Sequence, residues 1–343
     1  MQEKILNLLR RKGENGVLQS EIPKKVNLSK STVSEQLSEL EKNNTIFREK
    51  VAGKSKRVWL TEEVPHPVEG AVRIGILRAA EYPHVLIASE NMEEETFVSV
   101  FDSAPKITAA LTEGKLDIAF SPLITQLFYS LTKDTFNICA GCGWGGYGIV
   151  SEKPPSEETS FGTSQLSTME INLRNFLEDQ QLDPYTVDIR YFETPEEILN
   201  SCLNKKTETV AIWEPYLSLL EHSLENPETY PPSQNVKNSP CCTLGVNKKF
   251  LKEREPSFLD FAKYYIKAAR NMKEGKKLEK GADLLSKKTK LDKNLLKASF
   301  KRYSFGWHLT EENVMNYIRK INLKFSYGNL SQTFRPEHMT KAL

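Results

Sequence analysis

Thr209-Val210-Ala211-Ile212-Trp213-Glu214-Pro215-Tyr216 is the stretch whose pattern sets the fold class of most of this 343-residue chain. Five residues rich in β-branched and apolar side chains predict a buried strand, Pro215 ends it, and the pattern over 216–225 predicts a helix. The same alternation extends outward. Upstream, 187–192 reads as a strand and 194–204 as a helix with Pro195-Glu196-Glu197 in its first turn. Before these come a predicted helix at 169–180 and predicted strands at 136–139 and 147–150. From residue 72 the order is strand 72–77, helix 82–89, strand 97–101, helix 105–113 stopped by Gly114, and strand 116–120. A helix at 258–274 follows the quoted stretch. Alternating strands and helices make an α/β plan, in which ligands sit at the carboxyl ends of strands.

Size and composition narrow the alternatives. The length exceeds one ordinary domain and predicts two or three. An apolar fraction of 39% with 27% charged residues describes a globular protein rather than a disordered or collagen-like one. No run approaches the roughly 18 apolar residues of a membrane span, and residues 1–10 lack the charged-then-apolar plan of a signal peptide. The expected compartment is the cytoplasm, with no membrane partner. The formal charge of +2 hides an asymmetry. Residues 1–61 hold 13 Lys and Arg against seven Glu, whereas the rest holds 34 basic against 38 acidic residues. A basic head on a mildly acidic body predicts that the head alone meets a polyanion.

In the head, Ile5, Leu6, Leu8 and Leu9 recur at helical spacing. Arg10, Arg11 and Lys12 crowd the end before Gly13, where cations suit the helix dipole. Leu18, Ile22 and Val26 repeat every fourth residue and predict a second helical segment over 17–26. Asn27-Leu28-Ser29 is a tight connection, and Ser29 is placed to cap a third helix over 30–42 with Val33, Leu37 and Leu40 facing inward. Strand-like runs at 45–51 and 56–61 flank Ala52-Gly53-Lys54-Ser55, a turn bearing cations. Two short helices joined by a sharp turn and followed by a hairpin describe a winged helix-turn-helix. Beyond it, Pro65-His66-Pro67 favours an extended connector, and His66 reads as a solvated linker histidine rather than a metal ligand.

Residues 2–61, above all Leu28-Ser29-Lys30-Ser31-Thr32-Val33-Ser34-Glu35-Gln36-Leu37, resemble the winged helix-turn-helix of archaeal and bacterial transcription regulators. That resemblance implies double-stranded DNA as partner. Ser31, Thr32, Ser34 and Gln36 would reach base edges, and Lys30, Lys54, Lys56 and Arg57 would hold phosphates. The alternative for such a module is protein interaction alone; the clustered wing cations favour DNA. In the body, three segments carry a second resemblance. They are the helix of 107–113 with Glu113-Gly114-Lys115-Leu116-Asp117-Ile118-Ala119, the run Phe161-Gly162-Thr163-Ser164 leading to Ser167-Thr168 and a long helix, and 192–215 with Trp213-Glu214-Pro215-Tyr216. Together they resemble the type II periplasmic-binding-protein fold, closest to the binding proteins for nitrate, sulfonates, taurine and thiamine-pyrimidine precursors. The likeness spans about residues 72–320 and implies two α/β lobes closing over a small molecule. The expected plan is therefore α/β, with an N-terminal winged helix-turn-helix DNA-binding domain at 1–62, a linker at 63–71 and a two-lobed type II periplasmic-binding-protein-like ligand-binding domain at 72–343.

The second resemblance also implies ligand-binding residues. These are Arg78 and Tyr82 after the first strand, Ser121 after the third, and Trp213 and Glu214 at a later strand end. Thr163, Ser164, Ser167 and Thr168 surround a helix start, where hydroxyls and unpaired N–H groups favour an anion. Helix capping is the alternative for the hydroxyls, and core packing for Trp213. Trp144 lies in Cys139-Ala140-Gly141-Cys142-Gly143-Trp144-Gly145-Gly146-Tyr147-Gly148, where it would stack on a ligand. This run lacks the spacing and following helix of a dinucleotide fingerprint. Cys139 and Cys142 have metal or redox spacing, and Cys241-Cys242 form a second pair near the implied lobe crossing. Neighbouring residues on a strand face opposite sides, which makes joint ligation by Cys241 and Cys242 awkward. Three readings stay open for these thiols: structural burial, a metal or cluster site, and a redox switch. No cofactor is expected. Cys202 reads as core, and a cytoplasmic setting disfavours a disulfide framework. His84 falls near the proposed cleft, His222 and His308 read as surface or capping residues, and the basic stretch after 276 reads as a solvated helix face with extra DNA contact as its alternative.

The functional expectation is a ligand-responsive DNA-binding transcription regulator, homodimeric and not an enzyme, whose body senses a small-molecule effector of anion, sulfonate or thiamine-precursor type. Beside it stand a thiamine-pyrimidine-precursor synthase-like enzyme with an autoregulatory head, and a cysteine-based redox or metal sensor.

Overall fold

The computed structural model describes residues 1–43, 45–53, 55–231, 240–272, 275–320 and 333–342. The head contains α1 (Gln2–Lys12), β1 (Val17–Leu18), α2 (Ile22–Val26), α3 (Lys30–Lys42), β2 (Ile46–Ala52) and β3 (Ser55–Leu60). Its core joins Ile5, Leu9, Ile22, Val33, Leu37 and Val58. The four-residue repeat over 17–26 is not one helix. Val17 pairs with Val58 in a sheet ordered β1-β3-β2, and Pro23 belongs to the first turn of α2, the place where a missing N–H does no harm.

The body begins with β4 (Ala71–Leu77), α4 (Pro83–Glu90), β5 (Glu95–Phe101), α5 (Ala104–Thr112), β6 (Ile118–Pro122), α6 (Leu123–Thr132) and β7 (Phe136–Gly145). It continues through β8 (Tyr147–Ser151), β9 (Ser160–Ser164), α7 (Thr168–Asp179), β10 (Asp188–Phe192), α8 (Pro195–Leu203), β11 (Thr209–Trp213), α9 (Tyr216–Ser223) and β12 (Glu228–Tyr230). The return is β13 (Cys242–Asn247), α10 (Lys248–Arg270), α11 (Gly275–Thr289), α12 (Lys293–Ser299), β14 (Tyr303–Phe305) and α13 (Glu311–Lys320). Local signals explain many boundaries. Thr194 and Glu197 form a reciprocal capping box on α8, Ser167 caps α7, and α10 kinks at Arg254 just before Pro256.

These elements build two sheets. Lobe 1 holds six strands in the order β14-β7-β13-β6-β4-β5, and lobe 2 holds five in the order β10-β9-β11-β8-β12. In lobe 1, β4 runs parallel to β5 and β6, while β13 lies antiparallel between β6 and β7. In lobe 2, β9 runs parallel to β10 and β11, and β8 is antiparallel to β11 and β12. One crossing between lobes is nearly seamless, since Gly146 alone separates β7 from β8. Its φ of 69° and the Tyr303 ring 2.0 Å from a notional Cβ leave room for no other residue.

Lobe 1 also carries the head. Arg73 is buried in β4 and grips Asp117 with two guanidinium bonds of 2.7 and 3.1 Å, and its free N–H groups reach the carbonyls of Gly114 and Val64. Val64 joins Trp59, Val68 and Ala71 in a small core against Phe47 and Phe97, and Glu14 pairs with Lys115 at 3.5 Å.

Candidate functional site

On the head, Ser29 accepts the Thr32 N–H at 3.1 Å, and its hydroxyl lies 2.9 and 2.8 Å from those of Ser31 and Thr32. Two of the four predicted base readers, Ser31 and Thr32, are thus shared with the helix cap. Lys30, Ser31 and Ser34 are exposed, whereas Thr32 and Gln36 are half-buried. A groove of about 400 Å³ between α3 and the wing brings Lys30 and Ser34 beside Lys56, Ser55 and Arg48. Arg48, absent from the sequence reading, enters this groove while ion-paired to Glu41. Arg57 instead donates to the Asn15 carbonyl at 2.9 Å, bracing the loop before β1. Lys54 lies outside the described residues.

Between the lobes lies a cavity of about 280 Å³. Its walls are the carboxyl ends of β4, β5, β6, β9, β10 and β11, where Leu77, Asp102, Pro122, Ser164, Phe192 and Trp213 sit. Two helix starts also line it. At α7, Ser167 is spent on capping, accepting the N–H groups of Met169 and Glu170 at 3.1 and 3.3 Å, and Thr168 donates to the Cys241 carbonyl at 2.9 Å. At α5, Ser103 forms no side-chain cap, and Lys106 stands in the first turn. This second start is the one whose N–H groups no side chain caps, and its cation, Lys106, is shared with Glu193.

Several contacts bridge the lobes around the cavity. Trp213 donates its indole N–H to the Arg78 carbonyl at 3.0 Å, and the Ala80 N–H reaches the Glu214 carbonyl at 3.0 Å. Thr168 holds Cys241 as above, and Lys106 pairs with Glu193 at 2.6 Å. That ion pair is largely exposed, so it contributes little beside the packed contacts.

Tyr82, Ser164, Ser167, Thr168 and Trp213 all line the cavity, as predicted positions for a ligand. Five other predicted ligand residues do not. Arg78 turns to Asp102 at 2.5 Å and to the Thr289 carbonyl. Ser121 is wholly buried between Thr108 and Gln126, each at 3.0 Å. Thr163, in β9, is wholly buried and does not line the cavity. Burial raises the Glu214 carboxyl above its usual range, opposed by a bond from Ser218 and the Arg302 charge. Trp144 packs over Gly141 and Gly306 and belongs to a separate surface depression with Arg270 and Trp307.

The cavity also gathers residues that sequence reasoning left aside or judged awkward. Glu81, in the loop after β4, is buried and accepts the Cys242 N–H at 3.1 Å. Burial pushes its carboxyl up to about 7, partly offset by hydrogen bonds from Cys242 and Cys241. Gly143 makes this possible, because a Cβ there would meet Glu81 Cγ at 2.8 Å. Cys241 and Cys242 line the same cavity, contrary to the expectation of opposite faces. Cys241 sits on a bend before β13, and the β13–β7 register shifts right after Cys242, so strand alternation does not apply. The Tyr82 hydroxyl lies 3.1 Å from Cys242 Sγ. Behind them, Cys142 Sγ lies 3.5 Å from His84 Nε2, which is also 3.3 Å from the Tyr265 hydroxyl. Burial drives His84 down to about 3, so its imidazole is neutral, and it does not line the cavity. Cys139 and Cys202 are buried elsewhere, and all five thiols are free.

Comparison with known proteins fits this geometry. Residues 1–46 match the family described as winged helix-turn-helix DNA-binding. No curated protein matches the chain. Among solved structures, the ligand-binding component of an ABC-type import system from Staphylococcus aureus, with zinc bound, superposes with a TM-score of 0.68 at 15% identity, covering 80% of this chain and 99% of that one. The alkanesulfonate-binding protein of Xanthomonas axonopodis pv. citri, bound to MOPS, gives 0.63 at 12% identity over 79% of this chain and 99% of its own. The periplasmic nitrate-binding protein of Synechocystis PCC 6803 gives 0.63 at 13% identity over 81% and 89%. The body has the fold of the periplasmic binding proteins. No helix among the described residues is long and apolar enough to cross a membrane.

Proposed function

We propose that the chain is a ligand-responsive, DNA-binding transcription regulator, working in the cytoplasm as a homodimer. The observation that carries this is the union, on one chain, of a winged helix with a two-lobed body whose cavity is closed by contacts from both sides. A ligand that prefers the closed arrangement biases the lobes toward it, and paired half-sites convert that bias into altered operator affinity.

The effector is a small anion, of the sulfonate or thiamine-precursor type. The uncapped start of α5 suits a negative group that would draw Lys106 from Glu193, and Tyr191 and Trp213 line the cavity beside it. Fold relatives named for alkanesulfonate and nitrate support the same class. Binding is favoured over turnover because His84 is wholly buried behind Cys142 and does not line the cavity.

The test is a thermal-shift panel of inorganic anions, sulfonates and thiamine intermediates on the full chain. A ligand at 100 times its dissociation constant adds about 2.7 kcal/mol to stability. A folded protein that none of them stabilises overturns the effector class. Conversion of a pyrimidine precursor by the pure protein overturns the non-enzymatic reading.

A further inference from the structure

One cluster in the cavity wall has a chemistry of its own. The carboxylate of Glu81 and the thiols of Cys241 and Cys242 each offer a donor atom, and these atoms all lie within 4.8 Å of one another. The three residues are only 2, 6 and 1% exposed, yet all line the cavity. We propose that they form a binding site for a thiophilic divalent cation of the zinc class, with one coordination position open to the cavity.

Three features argue for convergence on a metal rather than incidental packing. The bend at Cys241 and the register shift after Cys242 turn two adjacent thiols to one side, against the alternation of a regular strand. The Cys242 N–H then fixes Glu81 against the same pair at 3.1 Å, in space that Gly143 leaves free. Finally, Glu81 has no ion-pair partner among the described residues, so this carboxylate lies buried without a cation beside it.

The donor set suits zinc. Bonds of about 2.3 Å to sulfur and about 2.0–2.2 Å to oxygen place tetrahedral ligands roughly 3.5 Å apart, within side-chain adjustment of the observed cluster. On binding, each thiol releases its proton to solvent as its sulfur–metal bond forms. Structural zinc sites close all four positions with protein, whereas three protein ligands leave one for water or a small molecule. Here that position faces the space assigned above to the effector, so a thiol or carboxylate of the effector would complete the shell. This last clause rests on the proposed function; the metal site does not.

Cobalt(II) titration of the reduced full chain, under a phosphine reductant, tests it. The expected result is one equivalent bound, with thiolate-to-cobalt charge-transfer absorption and tetrahedral d–d bands. C241S and C242S should each lower the charge-transfer absorption, and the C241S/C242S double variant should abolish it. E81Q should weaken binding by more than the roughly 10- to 100-fold that loss of an outer-sphere partner costs, and a smaller loss removes Glu81 from the ligand set. C139S and C202S should bind as the wild type does. Absence of the absorption in the wild type, or its survival in a C241S/C242S double variant, overturns the site. A second readout needs no substitution: zinc should slow alkylation of Cys241 and Cys242 in the wild type, and equal labelling with and without zinc overturns the proposal. Added 2-mercaptoethanol should shift the d–d bands, and an unchanged spectrum removes the open position. Cobalt binding that persists while no anion stabilises the protein would sink the effector class alone.

Discussion

Trp213 reaches across the cleft from the end of β11 to donate to the Arg78 carbonyl at 3.0 Å, latching lobe 2 to lobe 1. Trp213→Phe keeps a ring in the wall and deletes the donor. A neutral hydrogen bond contributes about 0.5–1.5 kcal/mol, so effector dissociation constants should rise roughly two- to tenfold if closure depends on this bond. Calorimetric titration with a stabilising anion reads the change, and an unaltered constant shows that the latch is idle.

Arg73 and Asp117 form an ion pair in which each side chain is only 1% exposed. Removing one partner of such a pair leaves a buried charge uncompensated and costs about 3–5 kcal/mol. Asp117→Asn should therefore lower the denaturant midpoint strongly, and cleavage in the 61–71 connector should accelerate as the Arg73 hold on Val64 loosens. A midpoint within experimental error of wild type would contradict the assignment.

The groove on the head separates two kinds of cation. Lys30 and Lys56 are exposed beside α3 and the wing, so Lys30→Ala and Lys56→Ala should weaken binding to all sequences and each reduce the salt slope by about one unit. Arg57 is committed to Asn15, so Arg57→Ala should lower head stability while leaving the slope nearly intact. Binding measured over a range of salt distinguishes them; a full unit lost with Arg57→Ala would place it on a phosphate.

His84 makes a pH prediction. Burial holds its pKa near 3 against an ordinary 6.5. Below pH 6.5 the unfolded chain takes up a proton that the native imidazole refuses until the pH nears 3, so His84 lowers stability as the pH falls through that window. The full effect is about 4–5 kcal/mol. His84→Gln removes the titration, and its unfolding free energy should decline less than that of wild type between neutral and acid pH. Parallel declines would mean that the native ring is protonated.

The α/β alternation and the wing were legible because period and capping are local, whereas the two lobes came from the resemblance carried by three segments. Thr194 with Glu197 and Ser29 with Thr32 announce helix starts within four residues. The cavity wall was legible only in part, because its geometry depends on distant partners. Nothing near Arg78 in sequence reveals that the Thr289 carbonyl will claim it. Ser121 looks like an open strand end until Gln126 folds back over it. Cys241 and Cys242 were misjudged by a sound rule, since the register shift that defeats it is imposed by pairing with β7. Lys106 resembled any surface lysine until the start of α5 was placed at the cavity mouth.

The hold of Arg73 on Val64, the Glu14–Lys115 pair and the packing of Trp59 near Phe97 all fasten the head to lobe 1. Recognition helix and first lobe thus share one frame of reference, and under the proposed function closure would carry the other lobe alone. A single molecule would then present the same α3 to DNA whether its cleft is open or shut. If the chain responds to an effector as proposed, the signal would emerge through what the moving lobe offers to another copy, so effector and operator would communicate in an assembly and stay mutually blind in a lone chain.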